Sequence, residues 1–150
     1  MKNDLDLGIN VDITLNDGGT ALGNAVLNNK PEAVKILLEH NADPNIKLNG
    51  NSFPLIEASY GGYDDIVDLL IQHKANVNIR KLDGSGITPL MFACIRGNKD
   101  VVQKLINGNA DPNLKSHQNS TALDYANELS SPVKEQVIAT LNSVGALSGH

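Results

Sequence analysis

Leu22, Leu55, Leu90 and Leu123 follow one another at intervals of 33, 35 and 33 residues, and Ala25, Ala58, Ala93 and Ala126 keep the same spacing. Asn45, Asn78 and Asn113 repeat it inside the phrase NADPN at 41–45 and 109–113 and its variant KANVN at 74–78. Three residue classes in one register establish a repeat. A unit of that size cannot bury an apolar face alone, so neighbouring units must stack and share a core. The two extra residues of the middle interval fall between Asn78 and Thr88, in IRKLDGSGI, which predicts a longer connection there.

Each unit reads as two helices and a turn. In TPL at 88–90, Thr88 is placed to accept a free amide at a helix start, and Pro89 takes the first helical position, where a missing N–H costs nothing. The other units write TAL at 20–22, FPL at 53–55 and TAL at 121–123; beside Phe53, Ser52 is expected to supply a weaker cap. Small residues follow, and NNKPE, GGYDD and GNKD break the first helix. The second helix carries the larger apolar stripe: Val34, Leu37 and Leu38; Ile66, Val67, Leu69 and Leu70; Val101, Val102, Leu105 and Ile106. Glu32, Asp64, Asp65 and Asp100 lie in its first turn, where the helix dipole favours acids. The repeated phrase then ends the helix through a left-handed residue, a conformation Asn41 and Asn109 tolerate; Lys74 in the same slot should be strained.

TPLMFACIRGNKDVVQKLINGNADPN at 88–113 resembles the ankyrin-repeat pattern of a TPL helix start, a small-residue helix, a glycine break, a VV.LL helix and a GADVN-type turn. The likeness covers residues 16–147. It implies an all-α solenoid of about four stacked helix-turn-helix units joined by β-turn or hairpin loops: repeats at 16–48, 49–82 and 83–115, and a capping repeat at 116–150. Residues 1–15 would be the remnant of a preceding repeat or an N-terminal cap, with Gly8 in the turn slot, and Lys134, Glu135 and Gln136 would give the last unit a polar outer face. Where the family often has His after TPL, this chain has Gly23, Ile56, Met91 and Asp124, so less polar bracing between units is expected.

Chemistry finds little support in the same residues. The net charge of −5 argues against a nucleic-acid partner, and no apolar run approaches the roughly 18 residues of a membrane span. Cys94 alone excludes an internal disulfide and fits a reducing, cytoplasmic compartment. His40 and His73 recur at the repeat period, but neighbouring helices stand about 10 Å apart, too far to share an ion bound at about 2 Å. DGSG at 83–86 lacks the Lys and helix start of a phosphate loop, and Asp64 and Asp65, as helix neighbours, point apart. The expectation is a monomer that is no enzyme and has no catalytic residues, metal or cofactor.

The remaining resource is surface. In ankyrin-like stacks the turn tips and first helices form a concave binding face, and position by position the resemblance places there Leu27, Tyr60, Ile87, Ile95, Arg96, Glu128 and Leu129. Leu27, Tyr60 and Ile95 form one apolar column expected to face solvent, and Tyr and Arg are enriched at binding hot spots. Two functions fit: a non-catalytic module that binds a protein partner, or the targeting segment of a larger enzyme or secreted bacterial effector acting in a host cytosol. The resemblance also marks Asn45 and Asn113, each with Leu eight residues earlier and Asp two earlier, as sites for the factor-inhibiting asparaginyl hydroxylase. The competing reason for these asparagines is that they stabilise the turn by bonding their own backbone.

Overall fold

Thr20, Thr88 and Thr121 sit in extended backbone before a helix, and each hydroxyl accepts the amide hydrogen three residues on, from Gly23, Met91 and Asp124. They open α1 (Ala21–Leu27), α5 (Pro89–Arg96) and α7 (Ala122–Asn127). Ser52 does not play this part: its hydroxyl is buried with no hydrogen-bond partner among the described residues. Instead α3 (Pro54–Gly61) starts behind extended Phe53 without a side-chain cap. Proline's preset φ and missing donor make a cap less necessary there. The second helices are α2 (Pro31–Glu39), α4 (Asp64–Gln72), α6 (Lys99–Asn107) and α8 (Lys134–Asn142).

The structure, a computed structural model, describes residues 10–130 and 132–149. Expectations about residues 1–9, Gly8 among them, lie outside the described residues. First helices stack on first helices, second on second, and each second helix packs on the first helix of its own pair, giving two layers with the core between them. Val34, Leu38, Ile66, Val67, Leu70, Val101, Val102, Leu105, Val137 and Leu141 are buried there with Leu22, Leu55 and Leu90. Ala58, Ala93 and Ala126 are fully buried between helices, where only a small side chain permits close approach. Leu123 departs from its register mates in being only partly buried; α7 packs on α5 and α8, with no further first helix beyond it among the described residues.

The second helices end as the sequence predicts: Asn41, Lys74 and Asn109 all adopt left-handed backbone, at φ 68°, 72° and 69°. Four turn fingers then project. Three close over four residues, Leu15 N–H to Gly19 O, Leu48 to Ser52 and Ser116 to Ser120; the third in sequence closes over six, Lys81 to Ile87. The longer connection is therefore where the interval predicts it. Leu48 and Ser52 form an isolated bridge, and no strand forms among the described residues.

Two expectations about the turns need correction. Asn45, Asn78 and Asn113 do not bond their own backbone. Their side-chain oxygens accept the amide hydrogens of Asn76 (2.7 Å), Asp111 (2.8 Å) and Leu147 (2.7 Å), each in the next turn along the stack. Asp12 begins the series with Asp43 N–H at 3.1 Å. The local bonds come from the residue two earlier: Asp43, Asn76 and Asp111 accept from Asn45, Asn78 and Asn113. Polar bracing between units is thus a continuous ladder of side-chain acceptors, and the slots after TPL are not needed for it. A side chain that caps a neighbour's turn ties successive units at the edge the apolar core does not reach.

Candidate recognition face

Tyr60 and Ile95 lie near the ends of α3 and α5, and Leu27 ends α1. Their exposures are 46%, 37% and 51%, so the column does face solvent. Tyr60 meets Phe92 of the next unit edge to face, with ring centres 5.6 Å apart at 90°. The Arg96 guanidinium carbon stands 4.8 Å from the centre of the Tyr60 ring, and Lys81 Nζ stands 5.6 Å from that of Phe92. Two aromatic rings from adjacent units are therefore sandwiched between two cations. Such contacts contribute about 0.5–1 kcal/mol each at exposed sites, enough to orient side chains without making them part of the core.

The structure sorts the other predicted positions. Glu128 is exposed at the far end of the column. Leu129 is partly buried on the core and lies near Gly97, and Ile87 is likewise partly buried. Phe92 is the member that sequence reasoning missed. Its signal was available: it lies three residues before Ile95 on one helix, and residues three apart share a face.

The long finger borders this face and is held from both sides. Leu82 N–H reaches Asn51 O at 2.8 Å, while His117 bonds Ser85 O through its amide (2.9 Å) and Gly84 O through Nδ1 (2.7 Å). Arg80 Nη1 donates to Gly86 O and Lys115 O, at 2.9 and 2.7 Å. Asp83 pairs with Lys81 at 3.3 Å. The Ser85 hydroxyl and then the Ser85 amide hold the Asp83 carboxyl down to about 2, with Lys81 adding to them, so it is charged at neutral pH. That carboxylate occupies Lys81, while Arg96 has no ion pair among the described residues.

Other candidate groups are structural in their setting. Cys94 is fully buried, and burial pushes its thiol up to about 12, which removes thiolate at neutral pH. His40 and His73 cap the ends of α2 and α4. Asn45 is partly buried and Asn113 exposed, and both side chains are engaged in the ladder. A depression of about 310 Å³ lies at the starts of α4 and α6, lined by Asp64, Asn98, Lys99 and Asp100 among others. It is open and brings no nucleophile and base together.

Comparison with known proteins adds three kinds of likeness. A family model described as three copies of ankyrin repeats matches residues 3–81, and one described as many copies of ankyrin repeats matches residues 70–126. Alpha-latrocrustotoxin-Lt1a of Latrodectus tredecimguttatus is 38% identical over 111 residues, which is 74% of this chain and 8% of the toxin. The glycerophosphocholine phosphodiesterase gde1 of Schizosaccharomyces pombe is 40% identical over 87 residues, 57% of this chain and 8% of that enzyme. The chain thus spans less than a tenth of either relative. A crystal structure of an ankyrin repeat domain from Acinetobacter baumannii superposes with a TM-score of 0.87 at 29% identity, covering 96% of this chain and 77% of that one.

Proposed function

The chain belongs to the ankyrin-repeat family, and from that premise we propose that it is a non-catalytic module that binds a protein partner through its first-helix face, centred on Tyr60, Ile95 and Arg96. The observation that carries this reading is the column of Leu27, Tyr60 and Ile95, exposed on three successive units and flanked by an unmatched guanidinium. An apolar stripe costs solubility unless it is used, and Tyr and Arg are both enriched at interface hot spots. The flanking units hold this middle section on both sides, so little entropy is lost on binding.

Leu27 and Glu128 extend the surface at its ends. In this reading the protein acts as a cytoplasmic monomer. A second reading, the targeting segment of a larger enzyme or secreted effector, is favoured by the small share of each relative that this chain matches, one of them a phosphodiesterase. Both readings use the same face. Hydroxylation of Asn45 and Asn113 is proposed as a separate property of the turns, supported by the exposure of Asn113; peptide mass analysis after incubation with the hydroxylase should show the gain of one oxygen at these sites, and no gain at either would retire it.

The test is a paired one on Tyr60→Ala with Arg96→Ala. Partners captured by the wild-type chain and identified by mass spectrometry are remeasured by calorimetry against the double variant. Binding should weaken by about 2 kcal/mol, roughly thirtyfold, while the melting temperature moves little. An unfolded double variant would make these residues structural. A folded one that binds normally would move the site elsewhere, first to the finger at 81–86.

A further inference from the structure

We propose, resting on the recognition face above, that its middle section takes a peptide in the polyproline II conformation with apolar side chains at every third position and a carboxylate beside the central one. The spacing argument comes first. First helices of adjacent units stack, and packed helices stand about 8–10 Å apart, so Leu27, Tyr60 and Ile95 present one apolar group per such step. A polyproline II chain has three residues per turn and rises about 3.1 Å per residue, so every third side chain returns to the same face about 9 Å further on. A helical ligand would match with every seventh residue, at about 1.5 Å each, but a helix is about 10 Å wide and needs a trough of that width. The column here is one apolar side chain wide at Leu27 and Tyr60 and widens only at the Phe92 ring beside Ile95. Asn24 and Glu57, one helical turn before Leu27 and Tyr60, border it on one side, and Asn28 and Gly61 follow on the other.

The charge argument fixes the rest. Arg96 makes no ion pair or hydrogen bond with any described residue, yet its guanidinium is held over the Tyr60 ring at 4.8 Å. A guanidinium oriented by a ring keeps its N–H edge free for a carboxylate in two-point contact. Lys81 offers no such opening, since Asp83 already pairs with it. Glu128, exposed in the next unit, repels an acid placed further along the column. The carboxylate therefore belongs next to the residue that sits on Tyr60. The Tyr60 hydroxyl, which also has no partner among the described residues, is free to bond the peptide backbone.

The experiment uses the intact chain. A phage-displayed library of random dodecapeptides is selected on it, and synthetic copies of enriched peptides are measured by fluorescence anisotropy against the wild-type chain and the Tyr60→Ala variant. Enriched sequences should carry apolar residues at every third position and Asp or Glu beside the central one. Replacing that Glu by Gln should weaken binding roughly tenfold, and on the Arg96→Glu chain the preference should invert to Lys at that position. Peptides that need Tyr60 but show seven-residue spacing, or are indifferent to Glu→Gln, overturn this proposal and leave the recognition face standing. Peptides that bind Tyr60→Ala equally well count against both. No enrichment over the unselected library also overturns it, while partner capture with the double variant still decides the broader reading.

Discussion

In the two middle units the first helix ends on a left-handed glycine, Gly62 at φ 73° and Gly97 at φ 68°, and the amides of Tyr63 and Asn98 return to Ala58 O and Ala93 O. The last unit has no such exit. There α7 is six residues long and Glu128 stays right-handed. Its security comes from polar contacts instead. Asp124 and Thr121 form a reciprocal capping box, Ser148 and the Gly149 amide bond the Asp124 carboxylate, and the Thr121 hydroxyl donates to Leu147 O. Lys134 Nζ closes onto Asn127 O at 2.7 Å. An interior unit can rely on apolar burial because it has neighbours on both sides. The last described unit packs on one neighbour among the described residues, and hydrogen bonds from the segment that follows it hold it in place.

The largest expected effect breaks the interior side of this comparison. Leu70→Ala should cost about 2–5 kcal/mol, because the side chain is fully buried between layers and its loss opens a cavity that neighbours on both sides hold open. Leu141→Ala removes an equally buried side chain in the last described unit and should cost less, since among the described residues α8 packs on one other second helix and can relax. Urea titration of both variants measures the difference; equal costs would mean that the end unit is as constrained as the middle.

The next effect belongs to the end. Asp124→Ala removes a capping box and the anchor of residues 148–149, and should cost about 0.5–2 kcal/mol. Burial raises the Asp124 carboxyl, but the Ser148 hydroxyl, the Thr121 and Gly149 amides and the Thr121 hydroxyl together outweigh it and bring the group down from 3.8 to about 2. The folded value is depressed, so the contribution is complete above about pH 4 and is lost as the pH falls through about 2. Amide resonances of Ser148 and Gly149 should shift in that window in the wild type and not in Asp124→Asn. The smallest effect has the opposite sign: Lys74→Gly should stabilise the chain by roughly 0.5–1 kcal/mol, because Lys74 carries a side chain at φ 72° where glycine is unstrained. A thermal melt that fails to rise would place compensating contacts on the Lys74 side chain.

Much of this was legible in the chain because repetition supplies its own controls. Four copies of the leucine and alanine register place the core, and the two-residue excess locates the long finger. What the sequence hid lies in contacts between units. A turn asparagine that bonds its own backbone and one that bonds the next turn leave the same letter at the same spacing. So Asn45, Asn78 and Asn113 announced a turn without revealing the ladder. Phe92's place on the face was readable from its spacing to Ile95, but its partners Tyr60 and Lys81, from another unit and a finger, were not. Ser52 misled because a hydroxyl before a helix looks like a cap whether or not its rotamer points at the amides.

Hydrogen–deuterium exchange of the intact chain with and without a captured partner tests the central claim most directly, because it reads location rather than affinity. The account predicts added protection on the first-helix face, at the ends of α1, α3 and α5, with α2, α4 and α6 unchanged. Protection concentrated on the outer helices Asp64–Gln72 and Lys99–Asn107, with the Tyr60 and Arg96 segments exchanging as in the free chain, would contradict it.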